Sequence, residues 1–326
     1  AGTAASIGNM LARLQQAITF TLLASAAAWA AYFLDSGHAL WAWVGAALIL
    51  LGYAAFLALE FVMLALVQRA DPAPRASVGQ LLRAWWGEVL TAPRVFCWQQ
   101  PFRSRAEPDF LPQAASNARG VVLVHGFFCN RALWNPWMTK LRAAAVPFVA
   151  VNLEPLFGSI DNYVDIVDDA VLRVQASTGQ APVLVAHSMG GLAVRAWLSK
   201  QGNTSRVRRV ATIGTPHHGT WLARFGHTTN GQQMRIGSRW LQQLAQSERL
   251  EQHALFTCFY SHCDNIVFPA STATLPGARN RHVVGAAHVH LAFQEVVFAE
   301  VMQWVFSSGP EHSNPKTEAQ FHPAAS

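Results

Sequence analysis

A serine between a strand pattern and a helix pattern is the feature that most constrains the fold of this chain. Residues 183–187 read Val-Leu-Val-Ala-His, Ser188 follows, and residues 189–192 begin an apolar helical pattern. A serine on such a sharp turn has strained backbone geometry, and small residues two positions to either side prevent clashes. Ala186 and Gly190 occupy those positions, so we predict that Ser188 lies on a strand-to-helix turn, in the position of a nucleophile.

Short apolar runs alternate with amphipathic segments after Arg119. Continuous β-branched runs predict strands that are covered on both faces, and helical spacing between them predicts crossover helices. This order is typical of an α/β fold with a mainly parallel sheet flanked by helices. The predicted strands are 121–124, 148–151, 183–186, 207–213, 255–260 and 282–284, and the predicted helices are 133–144, 163–176 and 192–200.

A serine hydroxyl becomes nucleophilic when a base accepts its proton and an acid orients that base. Asp264 follows the predicted strand 255–260, as expected for the acid. The only other acidic residues between Ser188 and the candidate base are Glu248 and Glu251, which lie in a helical pattern.

His288 lies on the loop after the last predicted strand and is the predicted base. The chain has 13 histidines, and His290 stays a competitor because it is only two residues away. The order Ser188, Asp264, His288 is typical of chains in which the nucleophilic serine lies on a strand-to-helix turn.

The oxyanion of a tetrahedral intermediate needs backbone N–H donors. One is expected from Met189, directly after the serine, and the other from the loop after strand 121–124, where Phe127 follows His125 and Gly126. We predict that Phe127 and Met189 donate through their backbones and that His125 orients the loop by hydrogen bonding.

Two uncharged apolar runs, 14–34 and 37–59, precede this region. Each matches the roughly 20 residues that cross a bilayer core, and the short polar segment between them predicts a helical hairpin over residues 1–68. Four aromatic residues near that segment suit a membrane interface: Trp29, Tyr32, Trp41 and Trp43. The alternatives are two buried core helices, or a cleaved secretory signal in the first run.

Arginines lie on both sides of the hairpin, and its loop has none. By the positive-inside rule, we expect both ends of the hairpin to lie on the cytoplasmic side of a bacterial inner membrane. Arg13 precedes the hairpin, and Arg69, Arg75, Arg83 and Arg94 follow it. The net charge of +6 comes without any nucleic-acid-binding motif, so anionic membrane lipid is the expected partner, and no nucleic acid is expected.

The rest of the chain divides by composition. Residues 69–118 are rich in Pro, Ala and Arg and predict a connector whose only regular element is a short helix near 78–89. The catalytic domain is expected at 119–306, and the polar segment 307–326 is predicted to be disordered. Four cysteines without metal spacing predict free thiols, although Cys258 and Cys263 would be close enough to pair in an exported domain.

From about Arg119 to Phe306 the sequence resembles the bacterial lipase and esterase branch of the α/β-hydrolase superfamily. The matching segments are His-Gly-Phe at 125–127, Ala-His-Ser-Met-Gly-Gly at 186–191, Thr-Ile-Gly-Thr-Pro-His-His-Gly-Thr at 212–220, Asp264, and Gly-Ala-Ala-His at 285–288. Ala186 departs from the usual glycine, and the two-span N-terminus departs from the secreted members.

This resemblance implies an α/β-hydrolase fold with a lid inserted after the sixth family strand, here about 219–253, and structural roles for His217 and His218. Some members bind calcium through Asp residues near the catalytic histidine. No Asp follows Asp264, so neither a metal nor a cofactor is expected.

The expected activity is hydrolysis of carboxylic esters of lipophilic substrates through an acyl-enzyme on Ser188. Apolar residues of the lid and the oxyanion loop either line a cleft for an acyl chain or belong to the core; they are Trp221, Leu222, Phe225, Met234, Ile236, Trp240, Leu241, Leu244, Phe127, Phe128, Trp134 and Trp137. The alternatives are an acyltransferase with the same residues, or a transport-associated membrane protein with a hydrolase-like domain.

Overall fold

The computed structural model describes residues 10–112 and 118–307, so the predicted disordered tail lies almost wholly outside the described residues. The helices are α1 (Met10–Asp35), α2 (Ala39–Val67), α3 (Val78–Pro93), α4 (Gln100–Phe102), α5 (Asn135–Ala143), α6 (Val164–Thr178), α7 (Met189–Gln201), α8 (Thr229–Gln233), α9 (Arg239–Ser247), α10 (Leu250–His253), α11 (His288–Leu291) and α12 (Glu295–Phe306). The strands are β1 (Val121–Val124), β2 (Phe148–Ala150), β3 (Val183–His187), β4 (Arg209–Ile213), β5 (Phe256–Tyr260) and β6 (Arg279–His282).

The six strands form one parallel sheet in the order β2-β1-β3-β4-β5-β6. Alternate residues of each strand point to opposite faces, and helices cover both. On one face, α6 and α7 pack against Val122, Val124 and Leu184; on the other, α5 and α12 pack against Val121 and Leu123. The structure confirms the predicted parallel α/β architecture, and the carboxyl ends of all six strands share one edge.

The last strand differs from its prediction. The sequence analysis placed it at 282–284, whereas β6 is Arg279–His282. Because β6 pairs only with β5 at the edge of the sheet, its side chains stay partly exposed and need not be apolar. The apolar Val283 and Val284 mark the loop that follows the strand.

Helices α1 and α2 form an antiparallel hairpin joined at residues 36–38. Gly45 lets α2 approach α1 so closely that a Cβ there would lie 1.8 Å from Trp29 Nε1. Both helices are long and apolar enough to cross a membrane, and only 6% and 22% of their most apolar windows are buried. Helices of a soluble core are mostly buried, so this low burial favours the membrane interpretation over the core-helix alternative.

The connector is more regular than the sequence analysis expected. It is helical from Val78 to Phe102, through α3, a π-helix (Arg94–Gln99) and α4. Pro93 lacks the N–H that would bind the carbonyl of Val89, but the Tyr53 hydroxyl of α2 donates to that oxygen at 2.8 Å. The prediction failed because a distant side chain replaces the hydrogen bond that proline removes.

The predicted lid region lies between β4 and β5 and contains α8, α9 and α10. Its end is fixed by a buried ion pair in which Arg195 of α7 donates to both oxygens of Glu248, at 2.8 and 2.6 Å. Arg195 also donates to the carbonyl of His217, 2.7 Å away, and His253 contacts Glu248 at 3.2 Å. This cluster ties the insertion to the central helix.

We expect Glu248→Ala to destabilise the fold strongly, because it leaves the Arg195 guanidinium buried without its partner. Breaking a buried pair in this way costs about 3–5 kcal/mol. Denaturant unfolding of the protein in detergent micelles measures the loss. Glu251→Ala, at an exposed position, is the matched control and should change stability by less than about 0.5 kcal/mol. Equal effects of the two variants would contradict the assignment.

Candidate active site

Ser188 lies between β3 and α7 in a strained conformation, with φ 55° and ψ −130°. Such a backbone costs about 1–3 kcal/mol and persists only where the surroundings hold it. The Ser188 N–H donates to the carbonyl of Ile213 in β4 at 2.9 Å. The sequence-predicted strand-to-helix turn is therefore present, at the carboxyl edge of the sheet.

Two glycines allow the turn to approach β1. A Cβ on Gly190 would lie 2.5 Å from the carbonyl oxygen of His125, and a Cβ on Gly126 would lie 2.6 Å from Cβ of Ser188. Real Cβ atoms do not approach other atoms so closely. Glycine is therefore required at positions 190 and 126 by the close packing of the turn against the loop that follows β1.

The His125 side chain fixes the loop after β1. Its Nδ1 is 2.9 Å from the carbonyl of Gly126, and its Nε2 accepts the Leu153 N–H at 3.0 Å. Burial lowers the pKa of His125 to about 4, so the ring stays neutral at physiological pH and holds the loop by hydrogen bonds. Its nitrogens are committed to backbone groups, which leaves none for proton transfer.

The two predicted oxyanion donors have free N–H groups in the part of the chain that the structure describes. Met189 is the first residue of α7, so its N–H has no partner within the helix. The Phe127 N–H has no hydrogen-bond acceptor among the described residues. Both amides belong to segments that meet at Gly126 and Ser188.

Asp264 and His288 form a buried pair. The ring Nδ1 of His288 is 3.0 Å from each carboxylate oxygen of Asp264. The Asp264 Oδ1 also accepts the N–H groups of Ile266 and Val267 at 3.0 and 2.8 Å, which fixes the carboxylate. This arrangement places the proton on Nδ1 and leaves Nε2 of His288 to accept another.

The pKa of His288 reflects opposing effects. Burial is the largest single effect and lowers it, but the charge and the hydrogen bond of the Asp264 carboxylate act in the opposite direction, and the net pKa lies above its ordinary value. Glu88 and Glu60 add to this upward shift. A raised pKa makes the ring a stronger base.

The competitor His290 does not meet Asp264. Its ring packs against α3, where a Cβ on Gly87 would lie 2.5 Å from its Nδ1. Of the two histidines, only His288 carries a hydrogen bond to Asp264. The geometry therefore favours His288 as the base of a serine, acid and histidine set.

Ser188, Asp264 and His288 all lie close to the carboxyl end of β4. A Cβ on Gly214, the residue after Ile213, would lie 2.8 Å from Oδ2 of Asp264 and 3.2 Å from Nδ1 of His288. In the part of the chain described here, no hydrogen bond joins the Ser188 hydroxyl to the His288 ring. Such bonds are often long in the absence of substrate and tighten when it binds.

Four residues that touch this site were missed by the sequence analysis. His187 places Nε2 3.1 Å from the carbonyl of His288, and Asn265 accepts the His288 N–H at 3.1 Å. Both adjoin residues that had been singled out, so adjacency was the available signal. Glu60 and Glu88 come from α2 and α3, and nothing in the sequence indicates that they reach the site.

The predicted cleft residues divide between core and surface. Met234, Leu241 and Leu244 are buried in the core, as the packing alternative required, whereas Phe225 and Ile236 are exposed. His217 is buried, with Nε2 2.9 Å from the Thr212 hydroxyl, which is a structural role as expected.

A parallel sheet with a strained serine after a central strand and a buried acid–histidine pair at the same edge defines a class, the α/β-fold hydrolases. Residues 121–305, more than half of the chain, match the sequence profile described as "Alpha/beta hydrolase family". The chain belongs to the alpha/beta hydrolase family. No curated protein matches it.

Solved structures with lipase names share the fold. Aspergillus fumigatus lipase B is 20% identical with a TM-score of 0.54, over 64% of this chain and 57% of that one. Bacillus licheniformis lipase BlEst2 in mature form is 16% identical with a TM-score of 0.52, over 59% of this chain and 94% of that one. This chain thus spans little more than half of the fungal lipase, and at these identities the likeness shows the fold alone.

We expect Gly190→Ala to destabilise the protein by about 1–3 kcal/mol, because the added methyl group collides with the carbonyl of His125 and neither backbone can move freely. Denaturant unfolding in micelles measures the change. Gly79→Ala, where the nearest atom would be 4.0 Å away, is the matched control and should be neutral or slightly stabilising. A neutral Gly190→Ala would show that the turn is not closely packed.

Proposed function

We propose that this chain is a carboxylic ester hydrolase of lipophilic substrates, with Ser188 as nucleophile, His288 as base and Asp264 as the acid that orients the base. The observation that carries the proposal is the buried Asp264–His288 pair beside the strained turn of Ser188. A structural acid–histidine pair gives no reason for a strained serine at the same strand ends, whereas a nucleophilic serine of an α/β-hydrolase lies on such a turn.

In the proposed mechanism, Nε2 of His288 takes the proton of the Ser188 hydroxyl as the oxygen attacks the ester carbonyl. The Asp264 carboxylate stabilises the imidazolium that forms. The proton then passes to the leaving alcohol, which departs and leaves an acyl-enzyme. Water attacks that ester with His288 again as base, and the acid product and free Ser188 result.

The backbone N–H groups of Phe127 and Met189 are the proposed donors to the oxyanion. Neither has a protein acceptor in the described structure, so both are available to the charge that develops on the carbonyl oxygen. The hydrogen bonds of His125 hold the first donor in place before the reaction. Donors fixed in advance stabilise the transition state without reorganising, a contribution of about 3 kcal/mol per donor.

A lipophilic substrate is supported by the apolar surroundings of the site. Trp221 and Leu222, at the start of the insertion, pack against an apolar cluster that includes Phe61 and Leu64 of α2 and Ala287, the residue before His288. The named structural neighbours are lipases. We propose that the acyl chain lies along this apolar surface.

We also propose that residues 1–68 form a two-span membrane hairpin, 69–118 a connector, and 119–306 the catalytic domain with a lid at about 219–253. Exposed apolar side chains along α1 and α2 support membrane insertion; they include Phe20, Leu23, Tyr32, Trp41, Trp43, Leu48 and Phe56. The arginines that flank the hairpin favour a cytoplasmic catalytic domain at a bacterial inner membrane.

Ser188→Ala should abolish ester hydrolysis, since the hydroxyl that forms the acyl-enzyme is gone. We expect kcat to fall at least ~10⁴-fold with folding unchanged, measured with p-nitrophenyl esters of increasing chain length on the full chain in micelles. Ser205→Ala, in an exposed turn, is the control.

For the wild type, kcat/KM should rise with acyl length. Retained activity in Ser188→Ala would refute the assignment of Ser188 as nucleophile. Transfer of the acyl group to an added alcohol would indicate an acyltransferase.

The membrane orientation is tested by reporter fusions. Alkaline phosphatase, which is active only in the periplasm, should be inactive when fused after Ser326 and active when inserted at Gly37 in the hairpin loop. Green fluorescent protein at the same two positions should give the opposite pattern. Phosphatase activity after Ser326 would contradict the cytoplasmic assignment.

A further inference from the structure

Two carboxylates from outside the catalytic domain reach the segment that carries His288. Glu60 lies in α2, directly after its long uncharged run, and Glu88 lies in α3. Both side chains are buried. Burying a carboxylate is costly unless hydrogen bonds compensate it, so the partners of these two groups identify what they hold.

Glu88 binds the backbone immediately after the base. Its Oε1 accepts the N–H of Val289 and its Oε2 accepts the N–H of His290, each at 3.0 Å. These amides belong to the first turn of α11 and have no partner within that helix. Because both oxygens accept, the group is suited to be a carboxylate, since a carboxyl would present a hydroxyl to one of the two donors.

Glu60 acts on the same segment through an amide. Its Oε2 accepts from Nδ2 of Asn265 at 2.6 Å, and Oδ1 of Asn265 accepts the backbone N–H of His288 at 3.1 Å. Because the Asn265 amide oxygen accepts from His288, its NH₂ group faces α2. That group can only donate, so it needs a hydrogen-bond acceptor there. Glu60 therefore acts on the backbone of His288 through Asn265, the residue after Asp264.

The backbone N–H groups of residues 288–290 therefore all donate to side chains that depend on the N-terminal helices. The first donates to Asn265, which is hydrogen-bonded to Glu60 of α2, and the other two donate to Glu88 of α3. Apolar packing reinforces the contact: Phe61, Leu64 and Ala84 of α2 and α3 form one buried cluster with Cys263 and Ala287. The backbone around His288 thus has its position set by elements more than 200 residues away in sequence.

We propose that Glu60 and Glu88 are positioning residues for His288, so that the N-terminal helices complete the active site as well as anchor it. This inference rests on the proposed roles of Ser188, Asp264 and His288. It makes the ester hydrolysis of the site depend on residues in α2 and α3, even for a substrate that never enters a membrane.

The charges around His288 supply a readout that simple loss of structure would not change. Asp264, Glu88, Glu60 and the His187 ring face it from four elements. Burial lowers the pKa of His288, and the three carboxylates raise it. Since His288 must be neutral to act as base, activity is lost as pH falls through this raised pKa. Burial raises the pKa of Glu88, and its hydrogen bonds from the N–H groups of His290 and Val289 oppose that rise. With Glu88 in the carboxylate form that these two donors favour, removing its charge should move that acid limb to lower pH.

The test uses the full chain in detergent micelles with p-nitrophenyl butyrate, a water-soluble ester. Glu88→Gln loses one acceptor and the charge, so kcat should fall at least ~10-fold with KM within about twofold, because misplacement of a catalytic group slows the chemical step. The acid limb of kcat/KM should move to lower pH. Glu88→Asp keeps the charge but shortens the reach, so its kcat should fall while the limb stays at the wild-type pH.

A second pair of variants probes Glu60. Glu60→Gln retains an oxygen that accepts from Asn265 and should keep kcat within about threefold, whereas Glu60→Leu retains none and should lose at least ~10-fold. Glu251→Gln, which removes an exposed carboxylate, is the charge control and should match the wild type. This pair decides the question if Glu88→Gln fails to fold, as judged by near-ultraviolet circular dichroism.

Wild-type kcat in Glu88→Gln or in Glu60→Leu would overturn the proposal, as would a slower Glu88→Gln whose acid limb has not moved. These failures are distinct from failure of the proposed function, in which the wild type itself shows no hydrolysis or Ser188→Ala retains it. Hydrolysis that depends on Ser188 but not on Glu60 and Glu88 would reject the positioning role alone.

Discussion

The strained turn at Ser188 is the constraint on which the rest of the site depends. A left-handed serine is unfavourable, and here it is held by a hydrogen bond to β4 and by packing against the loop after β1. Gly126 and Gly190 make that approach possible. The same approach brings together the two segments that carry the Phe127 and Met189 amides. Strain at one residue thus organises the proposed nucleophile and the proposed oxyanion donors together.

The acid–base pair is organised from a different direction. Asp264 takes its position from N–H groups of its own loop, whereas the backbone of His288 takes its position from Asn265 and Glu88. The catalytic domain therefore supplies the serine side of the site, and the N-terminal helices help to supply the histidine side. The face of α2 that includes Glu60, Phe61 and Leu64 is buried beside the segment that carries His288. The proposed membrane hairpin therefore adjoins the proposed acid–base pair.

Much of this arrangement could be predicted from the sequence, because it depends on local patterns. Continuous β-branched runs identified the buried strands, and the small residues around Ser188 identified the turn. The edge strand β6 was misplaced because an exposed edge needs no apolar run. The connector helix was underestimated because Tyr53 replaces the hydrogen bond lost at Pro93. The roles of Glu60 and Glu88 had no local pattern at all, since their partners lie over 200 residues away.

Mass-spectrometric mapping of a fluorophosphonate adduct tests the central claim most directly. The reagent reacts with a serine only when a base activates it, so it reports the nucleophile, His288 and Asp264 together. The account predicts one adduct per chain, on the peptide that contains Ser188, and no adduct after His288→Ala. An adduct on another residue, or ester hydrolysis without any adduct on Ser188, would contradict it.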